Sequence, residues 1–207
     1  MLIETVISTI FQLLLFSAVP FLWWLITARK KEKFLPWLGL KTPKFDRPAR
    51  TVFIMISAFA LLLVPAIFLI LSFEDKSVLA NAKYVGTGFD GAVAIMFYAI
   101  IQTGLSEEIL FRGFLNKRLS NKFGFAVGNT IQAVLFGLVH GLLLISVVEI
   151  TTVILLVIFT AIVGWLLGYL NEKSGNSSIV PSWIIHSLAN IIPSFLFLFG
   201  MFSSEVI

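Results

Sequence analysis

The chain has 207 residues, of which 58% are hydrophobic and 13% charged, and its mean hydropathy is +1.00. A water-soluble domain carries about a quarter charged residues, so an ordinary soluble domain is excluded. The absence of cysteine excludes a disulfide scaffold, a cysteine nucleophile, a thiolate metal site and an acylated cysteine anchor.

Five stretches lack Asp, Glu, Lys and Arg altogether: 5–28, 51–73, 123–148, 150–171 and 174–204. A sixth, 91–106, ends at Glu107. Each of the five reaches the roughly 20 residues a helix needs to cross a hydrocarbon core about 30 Å thick. The fold class predicted is all-α, a polytopic transmembrane helix bundle of about six spans with a buried active-site cavity. Residues 1–207 form a single integral membrane domain in this reading, since ends and loops together are too short to fold alone.

Span one is predicted over 5–28, ending in the interfacial aromatics Phe21, Trp23 and Trp24. Its positive charges follow the apolar run, so it does not read as a signal peptide. The linker 29–50 contains Pro36, Gly39, Pro43 and Pro48 and reads as turns or short interfacial pieces, with Trp37 and Leu38 in the headgroup layer. Span two covers 51–73, and the loop 74–90 reads as an outer-side turn. Span three starts near Gly91 and reaches toward Lys117 with Glu107, Glu108 and Arg112 inside it. Spans four, five and six cover 124–145, 150–170 and 180–202, and 171–178 is the clearest polar turn.

Eight of the 15 Lys and Arg residues lie between spans one and two; Lys117, Arg118 and Lys122 follow span three, and Lys173 follows span five. Short basic loops stay cytoplasmic, which predicts loops 29–50, 113–123 and 171–178 inside and both termini outside. The acids Glu4, Glu74, Asp75, Asp90, Glu149 and Glu205 then all fall on the outer side. The pI near 9.5 is therefore a topology signal in contact with anionic lipid. Nucleic acid is not an expected partner, because the basic linker offers only Phe34, Trp37 and Phe45 beside its prolines.

At lipid depth the ionisable residues are Glu107, Glu108, Arg112, His140 and His186. Each costs about 2.5–3.5 kcal/mol on insertion scales, so such residues face the interior and usually have a task. Glu108 and Arg112, four apart on one helix, can pair. Glu107 lies about 100° round the helix and is left as a surplus carboxylate, suited to acid–base work. Phe136 is one turn before His140, and Asn190 one turn after His186. Taken singly, these residues also fit an interfacial charge cluster and two packing histidines. Taken together they supply a base, an orienting imidazole and oxyanion donors. Glu107 with His140 would activate water against a carbonyl, and His186 with Asn190 would hold the oxyanion. The competing reading is a zinc site on Glu107, His140 and His186 with Glu108 as base, although no HExxH occurs.

One count conflicts with straight helices. Glu107 lies about 15 Å above Lys117 and His140 about 27 Å above Lys122. Either residues 113–123 form an interfacial segment below a span that ends near Arg112, or the helices tilt and shift strongly.

Glu107-Glu108-Ile-Leu-Phe-Arg112-Gly, Phe136-Gly-Leu-Val-His140 and His186-Ser-Leu-Ala-Asn190 resemble the three motifs of the CPBP family, which includes type II CAAX prenyl endopeptidases and bacterial bacteriocin-processing or immunity proteins. The resemblance spans about 91–195. It implies an intramembrane endopeptidase in which Glu107 and His140 activate water, His186 and Asn190 form the oxyanion site, and Glu108, Arg112 and Phe136 support them. It further implies a membrane-associated or lipid-modified peptide or protein substrate, a multi-pass bacterial cell-membrane location and a cavity open toward the cytoplasm. No cofactor is required in that mechanism; zinc is the alternative. A noncatalytic immunity or scaffold protein and an ion-coupled transporter are the other function classes weighed.

The topology is testable in a chain without native cysteine. Single cysteines at Thr42 and Ser177 are expected to resist an impermeant thiol reagent in sealed, correctly oriented cells; ready labelling of both from outside reverses the assignment.

Overall fold

The computed structural model describes residues 1–72, 79 and 81–201; the expected outer-side acids Glu74, Asp75 and Glu205 lie outside the described residues. Among the described residues seven helices are defined in chain order: α1 (Leu2–Thr27), α2 (Phe34–Leu38), α3 (Pro48–Ser72), α4 (Gly88–Phe123), α5 (Phe125–Leu144), α6 (Ile150–Ser174) and α7 (Val180–Leu198). A short 3-10 turn, Ala82–Tyr84, precedes α4. All but α2 are long and apolar enough to cross a membrane, and no strand occurs among the described residues. The molecule is a polytopic transmembrane helix bundle, as composition predicts.

Helix is the form in which an apolar segment satisfies its backbone without water. The outward faces are accordingly apolar: Ile26, Phe53 and Leu143 are 82%, 71% and 71% exposed. Between helices, lipid offers no hydrophobic driving force, and close approach of small residues takes its place. Gly137 and Gly141 let α5 lie against α6, where an added Cβ would come within 2.5 Å of the Val157 carbonyl and 2.4 Å of its Cγ2. Buried amides tie the same pair: Asn129 Nδ2 donates to the Trp165 carbonyl (2.9 Å), and Gln132 Nε2 to Asn129 Oδ1 (2.9 Å) and the Gly164 carbonyl (3.0 Å).

The helix α4 resolves the depth conflict without the interruption that the first alternative in the sequence reading requires. It is neither interrupted near Arg112 nor followed by an interfacial 113–123 piece; it runs unbroken for 36 residues, about 54 Å. Gly124, at φ 81, then reverses the chain directly into α5. Glu107 is seventeen residues before that turn and His140 sixteen after it, so both stand about 25 Å from it and face each other. Lys117 and Arg118 mislead as span markers because protein groups hold them. Lys117 Nζ lies 2.9 Å from Glu172 Oε1 and donates to the Ser177 carbonyl (2.8 Å), and the Arg118 guanidinium lies 4.0 Å from the Trp37 ring centroid.

Within α4 the segments Phe97–Leu105 and Glu108–Asn116 take the wider π register, in which bonds close over five residues. The hydroxyls of Thr103 and Ser106 follow that register, donating to the carbonyls of Tyr98 (3.0 Å) and Ile101 (3.1 Å).

The linker also departs from expectation. Trp37 and Leu38 are 6% and 0% exposed, packed on Ile109, Phe114 and Ile179, so protein rather than lipid surrounds their side chains. Two features fold the linker back. Gly39, at φ 88, turns the chain so that its carbonyl accepts from the Ile179 N–H (2.9 Å), and the bare Gly113 admits the Leu38 carbonyl, which would stand 2.9 Å from a Cβ there. The 171–178 turn is shorter than predicted, since α6 continues through Ser174 and leaves Asn171 buried within it.

A Cβ at Gly168 would fall 1.9 Å from Asn129 Oδ1. Gly168→Ala is therefore expected to lower stability by about 1–3 kcal/mol, read as a lower melting temperature in detergent. Combining it with Asn129→Ser, which shortens the obstructing side chain, should recover part of the loss.

Candidate active site

Three helices supply the intramembrane cluster: α4 carries Glu107, Glu108 and Arg112, α5 carries Phe136 and His140, and α7 carries His186 and Asn190. Glu107 Oε2 lies 3.8 Å from His140 Nε2 and 3.7 Å from His186 Nε2. That oxygen is buried and has no hydrogen-bond partner among the described residues.

Glu108, the next residue, has the opposite situation. It is fully buried and its carboxylate is occupied on both oxygens: Oε1 meets Arg112 Nη1 (3.1 Å) and His186 Nδ1 (3.2 Å), while Oε2 accepts from Ser182 Oγ. Arg112 is likewise fully buried, and its guanidinium carbon lies 4.1 Å from the Phe136 ring centroid. Phe136 is the packing hub, with centroid distances of 4.9 Å to Phe111, 4.5 Å to His140 and 6.1 Å to His186.

Hydrogen-bond chemistry sets the faces the histidines present. His140 Nδ1 lies 2.9 Å from the Phe136 carbonyl, which only accepts, so Nδ1 carries the hydrogen and a neutral ring turns the Nε2 lone pair toward Glu107. His186 Nδ1 faces the Glu108 carboxylate and likewise carries hydrogen. For His186 to donate at Nε2 as well, it must hold protons on both nitrogens, with Glu108 as counter-charge.

Asn190 is placed differently from its neighbours. Its Nδ2 donates to Thr103 Oγ1 (2.8 Å), which in turn donates to the Tyr98 carbonyl, so the carboxamide is tied to α4 one turn before Glu107. The sequence reading missed Ser182, Asn171 and Thr103. Asn171 Nδ2 donates to Ser182 Oγ (2.6 Å), extending the Glu108 chain into α6. Ser182 carried a usable signal, four residues before His186 on one helical face. Asn171 did not, because it stands among the polar residues of the apparent turn.

A cavity of about 310 Å³ reaches Glu107 and His140. Its wall includes the exposed side chains of Phe11 and Leu15 on α1 and Leu143 on α5, so it opens sideways between those helices rather than being sealed in the bundle. The donor types for zinc are present in two imidazole nitrogens and a carboxylate. Zinc ligands at 2.0–2.2 Å stand about 3.4 Å apart in a tetrahedral site, and here Glu107 Oε2 stands 3.7 and 3.8 Å from the two Nε2 atoms. No metal-holding group of three or more His, Cys, Asp or Glu occurs among the described residues.

The Rce1-like family of type II CAAX prenyl endopeptidases matches the chain over residues 89–192. That stretch contains every member of the cluster, from the start of α4 to the middle of α7. No curated protein and no solved structure matches the chain. The matched segment is half of the sequence and includes its charged intramembrane core, so the chain belongs to the Rce1-like family of type II CAAX prenyl endopeptidases, as a multi-pass CAAX-type intramembrane protease.

Proposed function

We propose that the chain hydrolyses a peptide bond of a membrane-associated or lipid-modified substrate with a water activated by Glu107 and His140. The observation that carries this reading is the unpartnered Glu107 oxygen flanked by two imidazole Nε2 atoms at 3.7 and 3.8 Å. A water within hydrogen-bond reach of Glu107 and His140 can give one hydrogen to each, leaving a lone pair free to attack.

The water oxygen bonds to the carbonyl carbon as its proton passes to Glu107, with His140 holding the water by its other hydrogen. The resulting oxyanion needs preorganised donors, which His186, protonated on both nitrogens, and the second N–H of Asn190 supply. Collapse breaks the C–N bond, and Glu107 returns the proton to the leaving amine. Glu108, Arg112, Ser182 and Asn171 position His186 without touching the reacting atoms. The substrate reaches the cavity sideways, between α1 and α5. The steps proposed use the chain's own residues and none passes through zinc.

Glu107→Gln keeps the shape and removes the base, so cleavage is expected to fall at least about 100-fold. Asn190→Ala is expected to lose about 100-fold, as loss of an oxyanion donor does. The assay is mass spectrometry of a membrane-peptide library incubated with purified wild type and each variant, with and without chelator. Activity abolished by exhaustive chelation and restored by zinc replaces the mechanism; equal background from wild type and Glu107→Gln assigns the chain to the noncatalytic immunity or scaffold class.

Ser182→Ala tests the positioning chain. It is expected to lower kcat about tenfold with KM unchanged, and Ser182→Thr, which keeps the hydroxyl, is expected to recover most of the rate. A loss of melting temperature with kcat intact would make Ser182 purely structural.

A further inference from the structure

The first helix carries polar groups that the proteolytic mechanism does not use. Ser8 and Gln12 of α1 and Gln102 of α4 line the same cavity as Glu107 and His140. A carboxamide at lipid depth must find partners within the protein or in a cavity, and these partners are incomplete.

Gln102 Oε1 lies 3.2 Å from Ser8 Oγ and 3.3 Å from Thr9 Oγ1. Each hydroxyl has one hydrogen, and each lies closer to the Thr5 carbonyl, at 3.0 and 2.7 Å. A carbonyl only accepts, so the hydroxyl hydrogens go there first and Gln102 Oε1 is left with weak donors. Gln102 Nε2 reaches Gln12 Oε1 only at 3.3 Å. The other N–H of Gln102 and both N–H groups of Gln12 meet no acceptor among the described residues.

We propose that Gln12 and Gln102 form a wall that binds the main chain of the substrate, their carboxamides pairing with the peptide groups of an extended segment beside Glu107 and His140. The proposal rests on the proteolytic reading and names what holds the substrate in that site. A carboxamide matches a peptide group, donating to its C=O and accepting from its N–H, whatever the side chains. A segment to be cut must lose its own helical bonds, and in an apolar cavity its exposed peptide groups need protein partners as much as these glutamines do. Gln102 is also well placed, five residues before Glu107 along the wide-register part of α4.

The competing role is glue between α1 and α4. Gln12→Met keeps the side-chain length, removes both N–H groups, and separates the two roles. A fluorescent membrane peptide that wild type cleaves is titrated, in detergent, into Glu107→Gln and into Glu107→Gln with Gln12→Met. Binding is expected to weaken about tenfold, equivalent to about 1.4 kcal/mol, with the melting temperature held. In the otherwise wild-type protein the same change should raise KM about tenfold and move kcat by less than about twofold.

A set of peptides with one main-chain amide at a time replaced by ester supplies the chemical half of the test. At one position the ester should weaken binding to the Gln12 protein and have little further effect on Gln12→Met. Unchanged affinity, ester penalties that persist undiminished in Gln12→Met, or a variant that fails to fold would each overturn the proposal, the last by assigning Gln12 to glue. Absence of cleavage by wild type refutes proteolysis instead, and is read separately; the binding titration is then run with the library peptide that binds Glu107→Gln most tightly.

Discussion

A carboxylate and a guanidinium, both wholly buried at membrane depth, set the terms for the rest of the core. Glu108 and Arg112 are 3.1 Å apart on α4, and neither reaches solvent. Breaking such a pair by removing one partner costs about 3–5 kcal/mol, because the survivor is left charged and alone. The pair by itself does not satisfy the carboxylate, and each further bond brings in another helix. Ser182 and His186 bring α7 to Glu108, Asn171 brings α6 to Ser182, and the Phe136 ring brings α5 to Arg112. The chemistry of burial therefore does the work of alignment: the helices carrying the histidines pack where the buried charge requires partners.

In the proposed mechanism the two neighbouring glutamates divide roles that a single one could not hold. Glu108 has partners on both oxygens, while Glu107 has an oxygen with none and a cavity beside it. A base committed to an arginine would be neutralised, and a base with no anchored neighbour would have nothing to hold its histidine in place. Adjacent positions on α4 place one carboxylate toward the packed interior and the other toward the cavity.

Much of this was legible in the sequence, and the failures have specific causes. Six spans follow from runs without charge, since the membrane imposes a length that composition can meet or fail. The motif spacing marked Glu107, Glu108, Arg112, His140 and His186 because charge at lipid depth is rare. The height conflict arose from reading Lys117 as the end of a span, when Glu172 and the Ser177 carbonyl hold its ammonium and α4 continues to Phe123. Trp37 and Leu38 were read as lipid-facing for their type, but the turn at Gly39 packs them against Ile109, Phe114 and Ile179. Asn171 and Thr103 are invisible to one-dimensional reading. Their importance lies in contacts across helices, and neither residue type is unusual where it stands.

The cavity joins two parts of the chain with different standing. The cluster of Glu107, His140 and His186 falls wholly within residues 89–192, where the family match lies, whereas Ser8, Phe11, Gln12 and Leu15 belong to α1, outside it. In the proposed mechanism the groups around the reacting bond lie within the matched stretch, whereas the approach is lined from both, by Ser8 and Gln12 of α1 and by Gln102 of α4. Chemistry constrains the first stretch tightly, because a base displaced by a fraction of an ångström loses rate. The proposed role of α1 requires only a wall of suitable polarity and shape beside α5. On that reading, substitutions in α1 are expected to change which segment is accepted without disturbing the buried Glu108 and Arg112 pair, since none of the groups that hold that pair comes from α1.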